Sequence, residues 1–507
     1  MNEEKETEKE LDNDAVSTEE QPRKPKRGFP WIIIVIAIAL LFGLSLVPWS
    51  TLTNGTVKDF NLLADILPND TIDEDEAIDG HEGIDSALLE AQPAVAMERM
   101  LVKGDSAFDT ILVVSAKTPR VNGEMAIEDY TRDGRGMARF KAALANRKQK
   151  PVRAAIVGDS YIEGDIFAQD IRDLLQGVYG GRGVGYVAAH SMVAGFRQSV
   201  AQSDKGWTEH SLKNQSSSPY YQMAGEYFTS AGSASSTYKG NSKRPNLAAW
   251  SVSRVLFVAP NGGTITLVTD SLKQEFKVEA SPAVQSVELA AETSKLTVNV
   301  SASGLVLLGA WLEDSNGVLL DCMSVRGDSG INRRNVSKDL SRQMGKWVDY
   351  DLIILEYGIN ALSAQQRDYS KYSDLMAEVV MRLQDCYPNA DILLLGIGDR
   401  GQKSGGEVHS MVTAPKMVAA QRRAAQKAGC LFWDTREAMG GEDAIVDWRN
   451  RKLVNGDYIH LNHNGGKELG KLLFESLNRA VNGQTAKVAQ PATQTEAQPS
   501  ATQSPQH

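Results

Sequence analysis

The strongest hydrophobic pattern in the chain is an uncharged apolar run near its start. Residues 30–49 read PWIIIVIAIALLFGLSLVPW. A run of about twenty apolar residues is long enough to cross a bilayer as a helix. Basic residues cluster at 23–27, directly before the run, whereas the first one after it is Lys58. By the positive-inside rule, the N-terminus is therefore expected in the cytoplasm and the long C-terminal part outside it. A cleaved signal peptide is the alternative, which the length of the run and the lack of an A-x-A site disfavour.

Strands and helices alternate in two later stretches. The run VRAAIVG at 152–158 predicts a buried strand, and an amphipathic helix follows it. Beyond residue 318, the runs DLIILEYG, ADILLLGIG and CLFWD predict further buried strands separated by helical patterns. This alternation predicts a parallel sheet covered by helices on both faces.

The segment between these two stretches follows a different pattern. Residues 250–313 contain short apolar runs with turn signals between them, spaced about 8–12 residues apart as in an antiparallel β-sandwich. Residues 201–245 are rich in Ser, Gly, Asn and Tyr and lack periodicity. We therefore predict a β-rich insertion within the α/β domain.

These patterns divide the chain into consecutive segments. They are a disordered cytoplasmic tail (1–28), a transmembrane signal anchor (30–49), a spacer (50–130), the first part of the α/β domain (131–200), the β-rich insertion (201–317), the second part of the α/β domain (318–480) and a disordered tail (481–507). The tails are predicted from their polar, core-poor composition. Within the spacer, residues 111–114 are a candidate strand.

The overall charge and the cysteines exclude several classes of site. The net charge is −10 and the pI is about 5.4, so no nucleic-acid partner is expected. Cys322, Cys386 and Cys430 lie far apart without CxxC spacing, which does not support a disulfide framework or a zinc site. We interpret them as small buried residues, although one pair could bridge in an oxidising compartment. No cofactor is indicated.

Gly-Asp-Ser occurs three times, ending at Ser106, Ser160 and Ser329. Only Ser160 directly follows a predicted buried strand and precedes an amphipathic helix. A serine on such a turn lies at the carboxyl end of a strand, where open α/β sheets build their sites. Since a serine hydroxyl is a weak nucleophile that needs a base, Ser160 is the candidate nucleophile of a serine hydrolase.

The candidate base is His460, because Asp457 lies three residues before it in GDYIHLN. At this spacing the carboxylate can reach the imidazole and fix its tautomer. His463 is a rival, which we interpret as a capping or surface residue at the start of the last helix. A metal site of Asp457, His460 and His463 is a third possibility, disfavoured because no further ligand cluster accompanies it.

Acyl transfer also needs hydrogen-bond donors for the developing oxyanion. The backbone N–H of Ser160 is one candidate. Gly327 follows the run VLLDCMSVR and Asn360 follows LIILEYGI, so both are expected in loops at neighbouring strand ends. Glycine lets the backbone approach a ligand closely, and an asparagine amide can donate.

The combined motifs resemble a known family. Gly158-Asp159-Ser160, Gly327, Gly358-Ile359-Asn360 and Asp457-x-x-His460 match in order the four motifs of SGNH (GDSL) hydrolases. The resemblance covers about 130–200 and 318–480. It implies a three-layer α/β/α fold, which the residue patterns combine with an inserted β-sandwich and one N-terminal transmembrane helix. It also implies that Ser160 is the nucleophile, Gly327 and Asn360 are oxyanion donors, His460 is the base and Asp457 the orienting acid.

A narrower resemblance concerns the substrate. Segments 158–187 and 438–448 resemble those of bacterial peptidoglycan and polysaccharide O-acetylesterases, and the insertion resembles a carbohydrate-binding module. One departure is Tyr161, where many of those proteins have histidine directly after the serine. It leaves the triad intact but leaves the subfamily and the substrate open.

We therefore expect a serine esterase that removes O-acetyl groups from cell-wall or secreted polysaccharide through an acyl-enzyme. The alternative is an envelope polysaccharide O-acetyltransferase with the same triad, for which a membrane-bound O-acyltransferase is a candidate partner. A non-catalytic glycan-binding anchor would predict a broken triad, which the sequence does not have. The expected location is the cytoplasmic (inner) membrane, with a single crossing and a periplasmic or extracellular catalytic domain.

Overall fold

The computed structural model describes residues 120–121, 124–214 and 217–487. The predicted tail at 1–28, the membrane anchor at 30–49 and the candidate strand at 111–114 lie outside the described residues. Within the described part, no helix is both long and apolar enough to cross a membrane.

The described strands and helices alternate along the chain before and after a long β-rich segment. The strands are β1 (Arg120–Val121), β2 (Glu124–Met125), β3 (Glu128–Asp129), β4 (Val152–Gly158), β5 (Gly185–Val187), β6 (Val200–Ser211), β7 (Glu226–Gly240), β8 (Trp250–Ala259), β9 (Gly263–Val268), β10 (Lys273–Val278), β11 (Ser281–Thr293), β12 (Lys295–Ser301), β13 (Val306–Glu313), β14 (Val318–Ser324), β15 (Leu352–Glu356), β16 (Asp391–Leu395), β17 (Gly401–Ser404), β18 (Glu407–Ser410), β19 (Leu431–Trp433) and β20 (Ala486–Lys487). The α-helices are α1 (Ala138–Ala145), α2 (Ala168–Tyr179), α3 (Lys338–Met344), α4 (Ser370–Cys386), α5 (Ala414–Ala428), α6 (Thr435–Met439), α7 (Ala444–Asn450) and α8 (His463–Val481). Short 3₁₀ turns cover Glu163–Asp165, Pro245–Leu247, Ile331–Asn335 and Ile359–Ala361.

The first sheet has the order β14-β4-β15-β16-β19-β3-β20. The strands from β14 to β19 are parallel to their neighbours, and β3 is antiparallel to β19. Every residue of β4, β15 and β16 is buried. Near-continuous apolar strands are typical of a parallel sheet that is covered on both faces, as the sequence predicts.

Alternate side chains of this sheet belong to two separate hydrophobic clusters. Ala155 and Val157 of β4 pack in a cluster that includes residues of α4 and α5. Ala154 and Ile156 pack in a second cluster with residues of α1, α2 and α8. Helices therefore cover both faces of the sheet, because successive side chains of a strand point to opposite faces.

The second sheet contains β5 to β13, around its own hydrophobic core. The strands expected across 250–313 are present, and they are not continuous with the parallel sheet. The strands predicted to form a β-sandwich are hydrogen-bonded together within this second sheet. Its strands form one branched hydrogen-bonded sheet, because the start of β13 pairs with β7 at Val306–Thr229 and Leu307–Phe228.

The boundaries of three segments differ from the prediction. The second sheet begins at β5, before the predicted boundary at 200. The predicted spacer contains β3, which pairs with β19, and the predicted tail at 481–507 contains β20, which pairs with β3. Both strands are only two residues long and have no apolar run of their own. Glu128 of β3 is instead fixed by Arg422, at 3.0 Å, from helix α5.

The three cysteines follow the interpretation made from their spacing. Cys322, Cys386 and Cys430 are all free and buried. Burial raises the pKa of each thiol above its ordinary value. They are therefore apolar packing residues rather than reactive thiols.

Candidate active site

The parallel sheet brings the ends of three strands side by side. Gly158 at the end of β4 is in register with Ser324 at the end of β14 and with Glu356 at the end of β15. Ser160, Gly327 and Asn360 follow these ends within a few residues. The motif residues of three separate segments thus meet at the carboxyl edge of the sheet, where α/β folds bind ligands.

Ser160, His460 and Asp457 form one hydrogen-bonded chain. The Ser160 Oγ lies 2.9 Å from His460 Nε2. The Nδ1 of the same imidazole lies 2.6 Å from Asp457 Oδ2. Ser160 is largely buried, and His460 remains partly accessible. The turn before α8 delivers the histidine to the serine, which is the arrangement that nucleophilic catalysis requires.

The Asp457 carboxylate is held by its own turn. Its Oδ1 accepts the backbone N–H groups of Ile459 at 3.0 Å and of His460 at 3.1 Å. Burial alone would raise the pKa of Asp457, but these bonds and the interaction with His460 hold that pKa below its ordinary value. An ionised Asp457 keeps the imidazole proton on Nδ1 and leaves Nε2 free to accept the serine proton.

Asn360 lies in the 3₁₀ turn that follows β15. Its Nδ2 donates to Asp159 Oδ2 at 2.8 Å and to the Asp328 carbonyl at 3.2 Å. The first bond links Asn360 to the residue that precedes the nucleophile. The second bond links it to the loop after β14.

Gly327 lies in the loop after β14 and has φ +71°. A Cβ at this position would lie 2.6 Å from Lys213 Nζ. The Lys213 ammonium belongs to the second sheet's β6–β7 connection and donates to the Arg326 carbonyl at 3.2 Å. The left-handed backbone therefore favours glycine here, whereas the end of the Lys213 side chain could move away from a Cβ.

A cleft of about 170 Å³ lies beside this edge, between the second sheet and the loops after β4 and β14. Its lining includes Glu163, Lys213, Glu226 and Arg326. Arg326 forms an ion pair with Glu163, three residues after the serine. The second sheet thus contributes side chains directly next to the loops that carry Ser160 and Gly327.

The sequence analysis missed a pair of buried acids under the nucleophile turn. Asp159 and Glu356 are both buried, and their carboxyl groups hydrogen-bond to each other. Burial raises the pKa of Asp159 to about 7, even though the Tyr161 N–H and the charge of His460 oppose it. Burial and the Asp159 charge raise the pKa of Glu356 well above its ordinary value. The sequence indicated this pair only through Glu356, the one acid at the end of the otherwise apolar run LIILE.

Tyr161 does not take part in the hydrogen-bonded chain. Its ring is buried in the cluster with α1, α2 and α8, and its hydroxyl lies 3.6 Å from Met439 Sδ. A Cβ at Gly398 would collide with that hydroxyl. The departure from histidine at this position therefore changes the core beneath the site.

His463 is neither the base nor the helix cap. The cap of α8 is Asn462, whose side chain accepts the N–H groups of Asn464 and Gly465. His463 is the first helical residue, stacks on Phe196 at 5.0 Å and lies 3.2 Å from Gln169 Nε2. Burial lowers its pKa. The capping interpretation was wrong because Asn462, one residue earlier, has the shorter side chain that reaches the free N–H groups.

Neither a metal site nor a second nucleophilic serine gains support from the structure. Within the described ranges, no group of three or more His, Cys, Asp and Glu side chains could hold a metal ion. Ser329 lies beside the site, where its carbonyl accepts the Tyr372 hydroxyl at 3.2 Å. Ser106 lies outside the described residues.

Comparisons with known proteins give structural matches only. No protein-family model matches the chain, and no curated protein matches it. A solved structure described as a peptidoglycan O-acetylesterase in action matches with a TM-score of 0.59 and 21% identity, covering 70% of this chain and 99% of its own. A family two carbohydrate esterase from Cellvibrio japonicus matches with a TM-score of 0.24 and 14% identity, covering 55% of this chain and 99% of its own. The chain therefore shares the fold of the first of these structures, the peptidoglycan O-acetylesterase.

Proposed function

We propose that the protein is a serine esterase of the SGNH type that removes O-acetyl groups from cell-wall or secreted polysaccharide. The observation that carries the proposal is the hydrogen-bonded chain from Ser160 through His460 to Asp457. The shared fold with a peptidoglycan O-acetylesterase supports an acetylated glycan as the substrate class. The polar cleft beside the site supports a substrate larger than the acetyl group.

In the first half-reaction, Ser160 Oγ attacks the acetyl carbonyl carbon while His460 Nε2 takes the hydroxyl proton. The oxyanion accepts hydrogen bonds from the backbone N–H groups of Ser160 and Gly327 and from the Asn360 amide. Ionised Asp457 stabilises the imidazolium. His460 then protonates the departing sugar oxygen, which leaves acetyl-Ser160 and a free sugar hydroxyl.

In the second half-reaction, His460 Nε2 removes a proton from water, which attacks the acetyl carbonyl of the acyl-enzyme. Collapse of the tetrahedral intermediate returns the proton to Ser160 Oγ and releases acetate. A sugar hydroxyl in place of water would make the same residues an acetyltransferase. The two reactions therefore differ only in the acceptor.

The test incubates the purified full-length chain with O-acetylated peptidoglycan and with an acetyl ester plus an unacetylated glycan acceptor. Released acetate is expected to account for most of the acetyl lost, and the Ser160→Ala variant should release none above the uncatalysed rate. Acetyl transferred to glycan in excess of acetate would replace the esterase with the transferase. Retention of all acetyl groups would contradict both.

We also propose that residues 30–49 anchor the protein in the cytoplasmic membrane, with the catalytic domain outside the cytoplasm. The support is the uncharged run and the basic residues before it. Alkaline phosphatase fused to the C-terminus is expected to be active, because that enzyme requires the oxidising exterior. An inactive phosphatase together with an active cytoplasmic reporter at the same position would reverse the orientation.

A further inference from the structure

We propose that Glu356 is a positioning residue of the esterase, which holds one proton at neutral pH and donates it to Asp159, so that Asp159 holds the Asn360 amide in place. This role rests on the proposed function for its effect on turnover. The protonation of Glu356 itself can be measured without any activity.

The geometry places the two carboxyl groups together in the interior. Asp159 is 0% exposed and Glu356 is 2% exposed. Gly158 and Glu356 are register partners on β4 and β15. A Cβ at Gly158 would lie 3.0 Å from Glu356 Oε2 and 2.6 Å from the Glu356 carbonyl oxygen. The glycine before Asp159 therefore leaves the space that the Glu356 carboxyl group occupies.

The hydrogen bonds decide which acid holds the proton. The Asp159 carboxylate accepts the Tyr161 N–H at 2.9 Å and the Asn360 amide at 2.8 Å. The backbone N–H of Asp159 donates to the Glu356 carboxyl group, but among the described residues no donor reaches the buried Glu356 Oε2. Two adjacent buried carboxylates cannot both stay ionised without a compensating cation. Since two donors reach the Asp159 carboxylate and only one backbone N–H reaches that of Glu356, the negative charge belongs on Asp159 and the proton on Glu356.

The surrounding charged groups maintain this assignment. The positive form of His460 favours the Asp159 anion, whereas Asp328 opposes it. Arg333 is engaged by Asp328, at 2.8 Å, and so does not neutralise the pair.

The tyrosines that face the pair are uncharged. The hydroxyl groups of Tyr161, Tyr357 and Tyr372 all interact electrostatically with both acids, and burial raises the pKa of each tyrosine above its ordinary value. Asp399 acts on the same region through Tyr161. These three tyrosines therefore stay uncharged near neutral pH. The group that changes with pH is the proton shared by Asp159 and Glu356.

The direction of the Glu356 pKa shift determines how turnover should depend on pH. A raised Glu356 pKa means that the proton is present below that pKa and is lost as the pH rises through it. Loss of the proton puts a second negative charge against Asp159, which displaces the Asn360 amide from the oxyanion position. The wild-type kcat is therefore expected to fall on the alkaline side.

The test records kcat against pH for a small acetyl ester with the wild type, Glu356→Gln and Glu356→Leu. The glutamine amide donates as the protonated acid does, so its kcat near neutral pH should stay within about threefold and should not fall on the alkaline side. Leucine has no donor, and misplacement of Asn360 should lower kcat at least about tenfold at every pH.

The matched control is Glu378→Gln on α4. Burial also raises the pKa of Glu378, but its Oε2 lies 3.8 Å from Arg334 and away from the Asp159 pair. This control should keep the wild-type alkaline fall. A Glu356→Gln profile that still falls as the wild type does, or a leucine variant as active as the glutamine variant, would overturn the role.

Infrared spectroscopy supplies a readout that needs no turnover. Near neutral pH, the difference spectrum between the wild type and Glu356→Gln should show the loss of one carbonyl band of a protonated carboxylic acid, which Ser160→Ala should retain. The band of buried Glu226, whose pKa burial raises to about 8, should remain in all three proteins. A difference spectrum without this loss refutes the protonation of Glu356. If the wild type hydrolyses no acetyl ester, the esterase proposal fails while this spectrum still decides the state of the acid pair.

Discussion

Replacing Ser160 or His460 by alanine is expected to lower kcat for a small acetyl ester by about 10⁶-fold. The serine hydroxyl does not ionise near neutral pH, so its attack requires a base within hydrogen-bond reach. His460 Nε2, at 2.9 Å from the Ser160 Oγ, is positioned for that transfer. Because the two side chains act as one unit, the double variant should be little slower than either single variant. Steady-state kinetics with each purified variant measures these effects.

Further alanine variants compare how much each of the other site residues contributes to kcat. Asp457→Ala should be damaging but less complete, since the imidazole keeps some of its basicity. Asn360→Ala should lower kcat by about 10²–10³-fold, because it removes one oxyanion donor. His463→Ala is the control and should change kcat little. Near-normal activity of Ser160→Ala, or its loss in a folded Ser329→Ala, would show that the wrong serine was chosen.

Replacing Asp165 by alanine is expected to reduce the free energy of unfolding by about 3–5 kcal/mol, the usual result of leaving a buried charge unpaired. Arg172 is completely buried, and its Nη1 and Nη2 bind the two Asp165 oxygens at 2.6 and 2.9 Å. Its Nε donates to the Leu320 carbonyl at 2.6 Å. Arg197 adds a longer contact with Asp165, at 3.3 Å. The pair joins the nucleophile loop to α2 and β14.

Urea unfolding measures this loss, with Glu292→Ala as the control. Glu292 is the exposed partner of Arg182, and an exposed ion pair contributes less than about 1 kcal/mol. An Asp165→Ala variant as stable as this control would show that Arg172 finds another partner or water.

The same pair gives stability a pH dependence. Burial opposes ionisation of Asp165, but Arg172 and Arg197 outweigh it and hold the pKa of Asp165 well below its ordinary value. A depressed pKa stabilises the fold above the ordinary aspartate value of about 4 and loses that contribution as the pH falls below it. The difference in unfolding free energy between wild type and Asp165→Ala should therefore shrink on acidification.

The sequence predicted the strands and site residues that are marked by patterns of residues close together in the chain. Apolar runs predict β4, β15 and β16. Short motifs identify Ser160, Asp457 and His460 as residues of turns. Strands β6 and β7 were missed as regular elements because serine, glycine and threonine occupy many of their alternating positions. The two-residue strands β3 and β20 pair with each other, although they come from opposite ends of the described chain.

The acid pair was missed for a related reason. The pKa values of Asp159 and Glu356 are raised only when β4 and β15 align and exclude water from the two carboxyl groups. The motif Gly-Asp-Ser marks Asp159, but nothing in its neighbours indicates a second carboxyl group. Likewise, Arg172 and Asp165 are seven residues apart and resemble ordinary surface charges until their burial is known.

Under the proposed function, the distance along the chain between nucleophile and base also determines when hydrolysis can begin. Ser160 and His460 are separated by 300 residues, and β4 meets its neighbour β14 only after the whole second sheet has been synthesised. Topologies with such distant contacts fold slowly. A chain interrupted before His460 lacks the side chain that lies 2.9 Å from the Ser160 Oγ. Under the proposed function, such a partly made chain therefore cannot attack acetyl esters.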